Sequence, residues 1–208
     1  MKTFSDYIRE AVDFRLGGST NKGVQYSYFP KDRKELKELM KKLRKERGED
    51  ADFNDIETSE VTDMSDMFER AVNFNGDVSQ WDMSNVSNMS EMFSFANSFN
   101  CDISLWDTSN VIYMSSMFYK AAKFNKDISQ WDTSKVTDMH EMFCYALKFN
   151  KDISKWDVSK VKNMNFMFYR AESFNQDISK WDVSNVTKKM NMFIGCPIKN
   201  EFKPKFNV

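Results

Sequence analysis

The chain has 208 residues, a formal net charge of −1 at pH 7, 41% hydrophobic and 29% charged residues, which excludes a disordered or supercharged chain. Six Gly and three Pro exclude collagen-like and Pro-rich linker classes. Mean hydropathy is −0.64 and no apolar run approaches the ~18 residues of a membrane-spanning helix, so no membrane insertion is expected.

The chain opens on MKTFSDYIREAV, where Phe4, Tyr7, Ile8, Ala11 and Val12 share one face of a predicted amphipathic helix. RLGGSTNKG reads as a break, and VQYSYF alternates like an edge strand. No apolar core of a secretory signal stands in the first thirty residues. MKTFSDYIREA also resembles the capsid-targeting leaders of T4-like phage internal head proteins, which are cut after an Ile/Leu-x-Glu triplet. Ile8-Arg9-Glu10 fits that triplet. The resemblance implies a virion component, with Glu10 preceding the scissile bond.

Asp32 and Glu35 form a capping-box pattern that opens a predicted helix. Leu36, Leu39, Met40 and Leu43 line its inner face, and Gly48 stops it. Segment 31–47 holds nine basic and four acidic residues. Such a run reads first as the solvated face of a cap. Its second reading is a contact for nucleic acid or another anionic surface, since clustered Lys/Arg attract phosphate without reading sequence.

From Asp52 onward the sequence repeats every 25 residues. Trp stands at 81, 106, 131, 156 and 181, each followed by Asp and, two further on, by Ser. Val recurs at 86, 111, 136, 161 and 186, and Met-Phe at 92–93, 117–118, 142–143, 167–168 and 192–193. Phe-Asn recurs at 74–75, 99–100, 124–125, 149–150 and 174–175. A degenerate first copy keeps Ser59, Val61, Met64, Met67, Phe68 and Ala71, with Ile56 in place of Trp. The last copy fails after Phe193. The repeat accounts for the odd composition of 15 Met and 19 Phe against six Leu: most of the Met and Phe fall in four columns.

Val86, Met89, Met92, Phe93, Ala96 and Phe99 follow a helical period, which predicts a short helix such as 87–97 in each unit. The FNGDVSQW-type stretch predicts a short strand, and W-D-x-S a turn capped by Asp and Ser. The expected fold is therefore α/β: a leucine-rich-repeat-like, right-handed solenoid of 25-residue strand-turn-helix units with an N-terminal helical cap. The expected boundaries are 1–50 for the helical segment and cap, 51–195 for five to six repeats, and 196–208 for the tail.

The string FNxDISxWDxSxVxxMxxMFxxAxxFN is similar to the BspA-like leucine-rich-repeat family, the 25-residue repeat of mycoplasma and spirochaete surface proteins. The likeness covers about residues 52–195. It implies a solenoid, surface display, and adhesive or protein-binding roles. This chain shows no lipobox cysteine near its start.

The fixed columns explain fold, so function is sought in the variable ones. Phe95, Tyr113, Tyr119, Lys120, Tyr145, Phe166, Tyr169 and Arg170 are the candidate partner-binding residues, because exposed aromatics and Arg anchor protein interfaces. Lys126, Lys151, Lys155 and Lys180 are further variable positions. His140 is the only histidine, and Cys144 four residues on is a conceivable pair; the plainer reading is a solvent-facing helix residue. The Asp columns (77 through 177 and 82 through 182) read as turn and cap ladders before calcium ligands, because oxygen-rich calcium turns need clustered Asp with Gly. The Asn column (75 through 175) reads as an amide bonding its own turn. Cys101, Cys144 and Cys196 show no C-x-x-C and read as free thiols.

The expectation is a non-enzymatic repeat scaffold that binds a protein or another macromolecule, without metal or cofactor, monomeric and cytoplasmic. Alternatives are a phage or virion structural protein and a surface adhesin.

Overall fold

A computed structural model describes residues 25–206. The predicted helix at the start of the chain and the leader-like segment lie outside the described residues.

The helix predicted after Asp32 is present. We call Arg33–Arg47 α1. Asp32 Oδ1 accepts from the Glu35 amide at 2.9 Å, and Glu35 Oε2 accepts from the Lys31 amide at 3.0 Å. Gly48 closes it at φ 96°, its amide donating to Arg44 O at 2.9 Å. Leu36, Met40 and Leu43 are fully buried, so α1 lays its apolar face on the first repeats. Of the VQYSYF stretch, the described residues 25–29 make one parallel bridge, Tyr28 to Ile56, and no longer strand.

Beyond α1 the chain winds in six coils of 25 residues that begin at Asp52, Asp77, Asp102, Asp127, Asp152 and Asp177. Neither the predicted helix nor the predicted strand forms within them. The segment 87–97 is a run of turns. Parallel pairing is reduced to isolated bridges, chiefly along Asp63, Asn88, Tyr113, Asp138, Asn163 and Lys188, on the opposite side of the turn from the expected strand. The architecture is a mostly irregular, solenoid-like repeat.

The reason lies in the backbone. Two positions in each coil adopt the left-handed conformation, Glu91 at φ 58° and Phe95 at φ 58° in the second coil. A helix cannot pass through such residues. Instead the amides alternate. Those of Met92, Ser94 and Ala96 donate three residues back, to Met89, Glu91 and Phe93. Those of Met89, Glu91, Phe93 and Phe95 donate forward to carbonyls of Tyr113, Ser115, Met117 and Tyr119 in the next coil. The same pattern recurs from Met64 to Arg170. Half of each turn's amides therefore stitch neighbouring coils, as strand amides do in a sheet.

The core is a set of side-chain ladders. Phe68, Phe93, Phe118, Phe143, Phe168 and Phe193 stack at 5.4 to 5.9 Å between centroids. Each of the first five lies against the Phe six residues on, as Phe93 on Phe99 at 3.7 Å. Trp106, Trp131 and Trp156 stack at 6.4 Å. The Met columns are buried beside them, where the flexible thioether fills gaps against ring edges. Among the described residues no buried side-chain nitrogen or oxygen lacks a hydrogen-bond partner.

Polar columns lock each coil to the next. The amides of Asn100, Asn125, Asn150 and Asn175 each donate to the side-chain oxygen of the Asn one coil earlier, at 2.8 to 3.0 Å. The Asn column thus bonds the neighbouring coil and not its own turn. Lys199, in the tail, extends the ladder by donating to Asn175 Oδ1. Ile198 is buried, and Phe202 O accepts from the Ile178 amide, so the tail covers part of the last coil. From Leu36 to Ile198 the buried residues form one core cluster, to which α1 and the tail contribute.

Candidate functional site

The two left-handed columns carry the variable residues. One runs Asp66, Glu91, Ser116, Glu141, Phe166, Asn191; the other runs Arg70, Phe95, Lys120, Tyr145, Arg170 and ends at Gly195, φ 72°. None of the eleven non-glycine residues at positive φ is β-branched, as left-handed sterics require. Otherwise the backbone places no demand on these side chains, and all but Ser116 are at least partly exposed.

The second column alternates cation and aromatic. The column just before it (Glu69, Ser94, Tyr119, Cys144, Tyr169, Ile194) alternates in counterphase. Where one column offers Lys120 or Arg170, the other offers Tyr119 or Tyr169. Where it offers Phe95 or Tyr145, the other holds buried Ser94 or Cys144. The surface therefore has a period of two coils laid over a core with a period of one. Staggering the rings between columns gives them room to meet edge to face.

They do so along one line. Phe95 meets Tyr119 at 5.1 Å and 76°. Tyr119 meets Tyr145 at 6.5 Å and 90°. Tyr145 meets Tyr169 at 5.6 Å and 61°, and Tyr169 meets Phe166 at 5.7 Å and 73°. Cations sit over the ring faces: Arg70 over Phe95 at 5.1 Å, Lys120 over Phe95 at 4.6 Å and Tyr119 at 5.2 Å, Arg170 over Tyr145 at 5.8 Å. Arg170 also lies across Gly195, where a Cβ would come within 2.9 Å of its Cγ. Hydrogen bonding to Tyr169 raises the Arg170 pKa further, so this cation stays charged.

Seven of the eight predicted residues thus join one ladder: Phe95, Tyr119, Lys120, Tyr145, Phe166, Tyr169 and Arg170. Tyr113 does not; it stands on the bridge column, paired through its backbone to Asn88 and Asp138, with its side chain exposed. Sequence reasoning missed Arg70, which lies in the degenerate first copy one place before Ala71. The two-coil alternation was its available signal. The lysines at 126 and 151 belong to another strip, beside the Asp102 and Asp127 carboxylates, whose pKa values their charges help to lower.

The remaining chemistry is structural. Asp77, Asp102, Asp127, Asp152 and Asp177 each accept the amide of the Ser two residues on, at 2.9 to 3.0 Å. Asp82, Asp107, Asp132, Asp157 and Asp182 do the same. Among the described residues no three His, Cys, Asp or Glu side chains are grouped to hold a metal ion. His140 lies on a turn, half-buried, with Nδ1 at 2.8 Å from Asp138 Oδ1; the expected helix and solvent-facing position are not found. Burial and then the Glu141 charge push the Cys144 thiol up to about 12, which leaves little thiolate for a Cys–His pair. Among the described residues no helix is long and apolar enough to cross a membrane.

The sequence profile of one protein family matches residues 34–143 and again 105–207, from α1 through the last coil. The chain belongs to that family, described as Mycoplasma protein of unknown function, DUF285. The matched stretch holds every coil and the whole ladder of this DUF285 protein. No curated protein and no solved structure matches the chain.

Proposed function

We propose that this DUF285 protein is a non-enzymatic repeat scaffold that binds a protein partner along its coil axis. The supporting observation is the ladder from Arg70 to Arg170: aromatic and cationic side chains, mostly half-buried, in the columns that the core leaves variable. Tyr and Arg anchor protein interfaces because they bury large areas at low entropic cost while keeping polar handles. The ladder's cations are engaged with ring faces, Lys120 with Phe95 and Tyr119 and Arg170 with Tyr145, which suits a contact surface. We also propose that the coils form a right-handed array akin to the BspA-like leucine-rich repeats. The parallel stitching of coils and the 25-residue period support that kinship.

The test is proximity cross-linking. A photo-reactive residue at 145 should capture a protein from a lysate of the source organism in one discrete product. The same group at 105, exposed on a different strip, should not. Equal labelling from both positions would sink the reading.

A further inference from the structure

We propose that the ladder docks an extended, proline-rich segment of the partner in polyproline II conformation, with an acidic residue at every third position. This rests on the partner-binding reading above and names the partner's chemistry.

The first argument is spacing. The amides of Arg70, Phe95, Lys120, Tyr145 and Arg170 each bond a carbonyl of the next coil at 2.7 to 2.9 Å. Coils so joined lie about 4.8 Å apart, the separation of hydrogen-bonded strands. Cations recur in this column every second coil, at Arg70, Lys120 and Arg170, hence about 9.6 Å apart. A polyproline II helix repeats every three residues at about 3.1 Å each, or about 9.3 Å. An extended β peptide repeats its face every two residues, about 6.7 Å, and an α-helix turns every ~5.4 Å. Only the first stays in step with the ladder over five coils.

The second argument is shape. Core rings stack face on face, Trp131 on Trp156 within 2°. Ladder rings stand at 61° to 90° to one another between Phe95 and Tyr169, so the strip presents ring edges as well as faces to a ligand. Grooves lined by aromatics in this way select polyproline II, whose preformed backbone loses little entropy on binding. Its carbonyls have no internal partners and stay free to accept hydrogen bonds from a docking surface. A single-stranded nucleic acid needs open ring faces for base stacking; here Arg70, Lys120 and Arg170 lie over them.

The third argument is charge. Arg70 touches Glu69 at 3.1 Å but its side chain is 73% exposed, so all three cations remain open to carboxylates. They sit two coils apart, one polyproline turn.

The experiment is fluorescence anisotropy with labelled probes and the full chain. The probes are a peptide of six Pro-Pro-Glu triplets, its Pro-Pro-Lys and Gly-Ser-Glu counterparts, and an oligothymidine strand. The Pro-Pro-Glu peptide should bind saturably, about tenfold tighter than Gly-Ser-Glu, and Tyr145→Ala should weaken it about tenfold. Lys120→Glu should weaken Pro-Pro-Glu and strengthen Pro-Pro-Lys, a gain that misfolding cannot produce. Leu105→Ala, outside the ladder, should change nothing. Pro-Pro-Glu binding no better than Gly-Ser-Glu, insensitivity to both ladder variants, or tighter binding of oligothymidine would each overturn the proposal. A displayed library of proline-free peptides separates the two readings. Selection of such peptides with loss on Tyr145→Ala leaves partner binding standing while the polyproline inference falls.

Discussion

The indole Nε1 of Trp131 donates to the backbone carbonyl of Ile103, 28 residues earlier, at 3.1 Å. Trp81, Trp106, Trp156 and Trp181 repeat the bond to Phe53, Val78, Ile128 and Ile153. The Trp column thus fills core volume and satisfies a carbonyl of the preceding coil. Trp131→Ala should cost about 3–5 kcal/mol by emptying the stack. Trp131→Phe keeps a ring but leaves the Ile103 carbonyl with one donor, the Trp106 amide at 3.3 Å, at a cost of about 1–3 kcal/mol from the lost bond and the lost ring volume. Lys120→Ala should fall well below both, because it removes a surface side chain and no core volume. Urea titration orders the three; equal midpoints for Trp131→Ala and Lys120→Ala would show that the Trp column does not hold the array together.

The left-handed columns give a second test. Lys120 sits at φ 57°. A β-branched residue is strained there, so Lys120→Val should destabilise by about 1–3 kcal/mol. Lys120→Gly relieves the strain and gives up unfolded-state restriction, two opposing effects of about 1 kcal/mol each. Its stability should therefore stay near that of the parent. Thermal melts of the pair should separate by several degrees, with Val the lower; coincident melts would contradict the assigned backbone.

These columns also mark where sequence reading stops. The apolar positions were legible because repetition picks them out: Val86, Met89, Met92, Phe93, Ala96 and Phe99 are all buried. Their spacing suggested a helix because a run of three-residue turns also returns every third side chain to one side. What distinguishes turns from helix is the left-handed backbone at Glu91 and Phe95. Glycine usually signals that geometry, and here only Gly195 does so in its column. The candidate ladder was legible for the complementary reason: residues that vary within fixed columns are the ones the core does not choose. That Phe95, Tyr119, Tyr145 and Tyr169 touch was not legible, since it depends on coil spacing and on the stagger between two columns.

Gly76 has a local cause. A Cβ there would lie 2.4 Å from Phe53 Cε2 and 2.9 Å from Phe74 Cε2. Phe53 is fully buried at the start of the first coil, where later coils carry Val or Ile. The larger ring takes the space that a side chain at 76 would need. Gly76→Ala should destabilise by about 1–3 kcal/mol through overpacking. Phe53→Val should also destabilise, by leaving a cavity. The double variant should be more stable than the two costs predict, by about 1 kcal/mol, because each change makes room for the other. A double-mutant cycle in denaturant that proves additive would refute the coupling.

The His140–Asp138 pair makes stability depend on pH with a definite sign. The hydrogen bond to Asp138 raises the His140 pKa above its ordinary value despite burial, helped by the Asp138, Glu141 and Glu91 charges. Burial acts to raise the Asp138 pKa, but bonds from His140 and Asn163 outweigh it and hold the carboxyl below the usual range. A raised His pKa stabilises the folded state fully below the unfolded value, about 6.5, and the gain is lost as pH rises through the folded value. A lowered Asp pKa stabilises above its unfolded value, about 3.9, and the gain is lost as pH falls through the folded value. The pair therefore contributes most between about pH 4 and 6.5. The urea midpoint of the parent should exceed that of His140→Ala most at pH 5.5. The gap should shrink as pH rises through the folded His140 value, while Asp138 still caps the His140 amide at 2.9 Å. A gap that widens toward alkaline pH would mean that the imidazole is buried neutral and that the ion pair does not form.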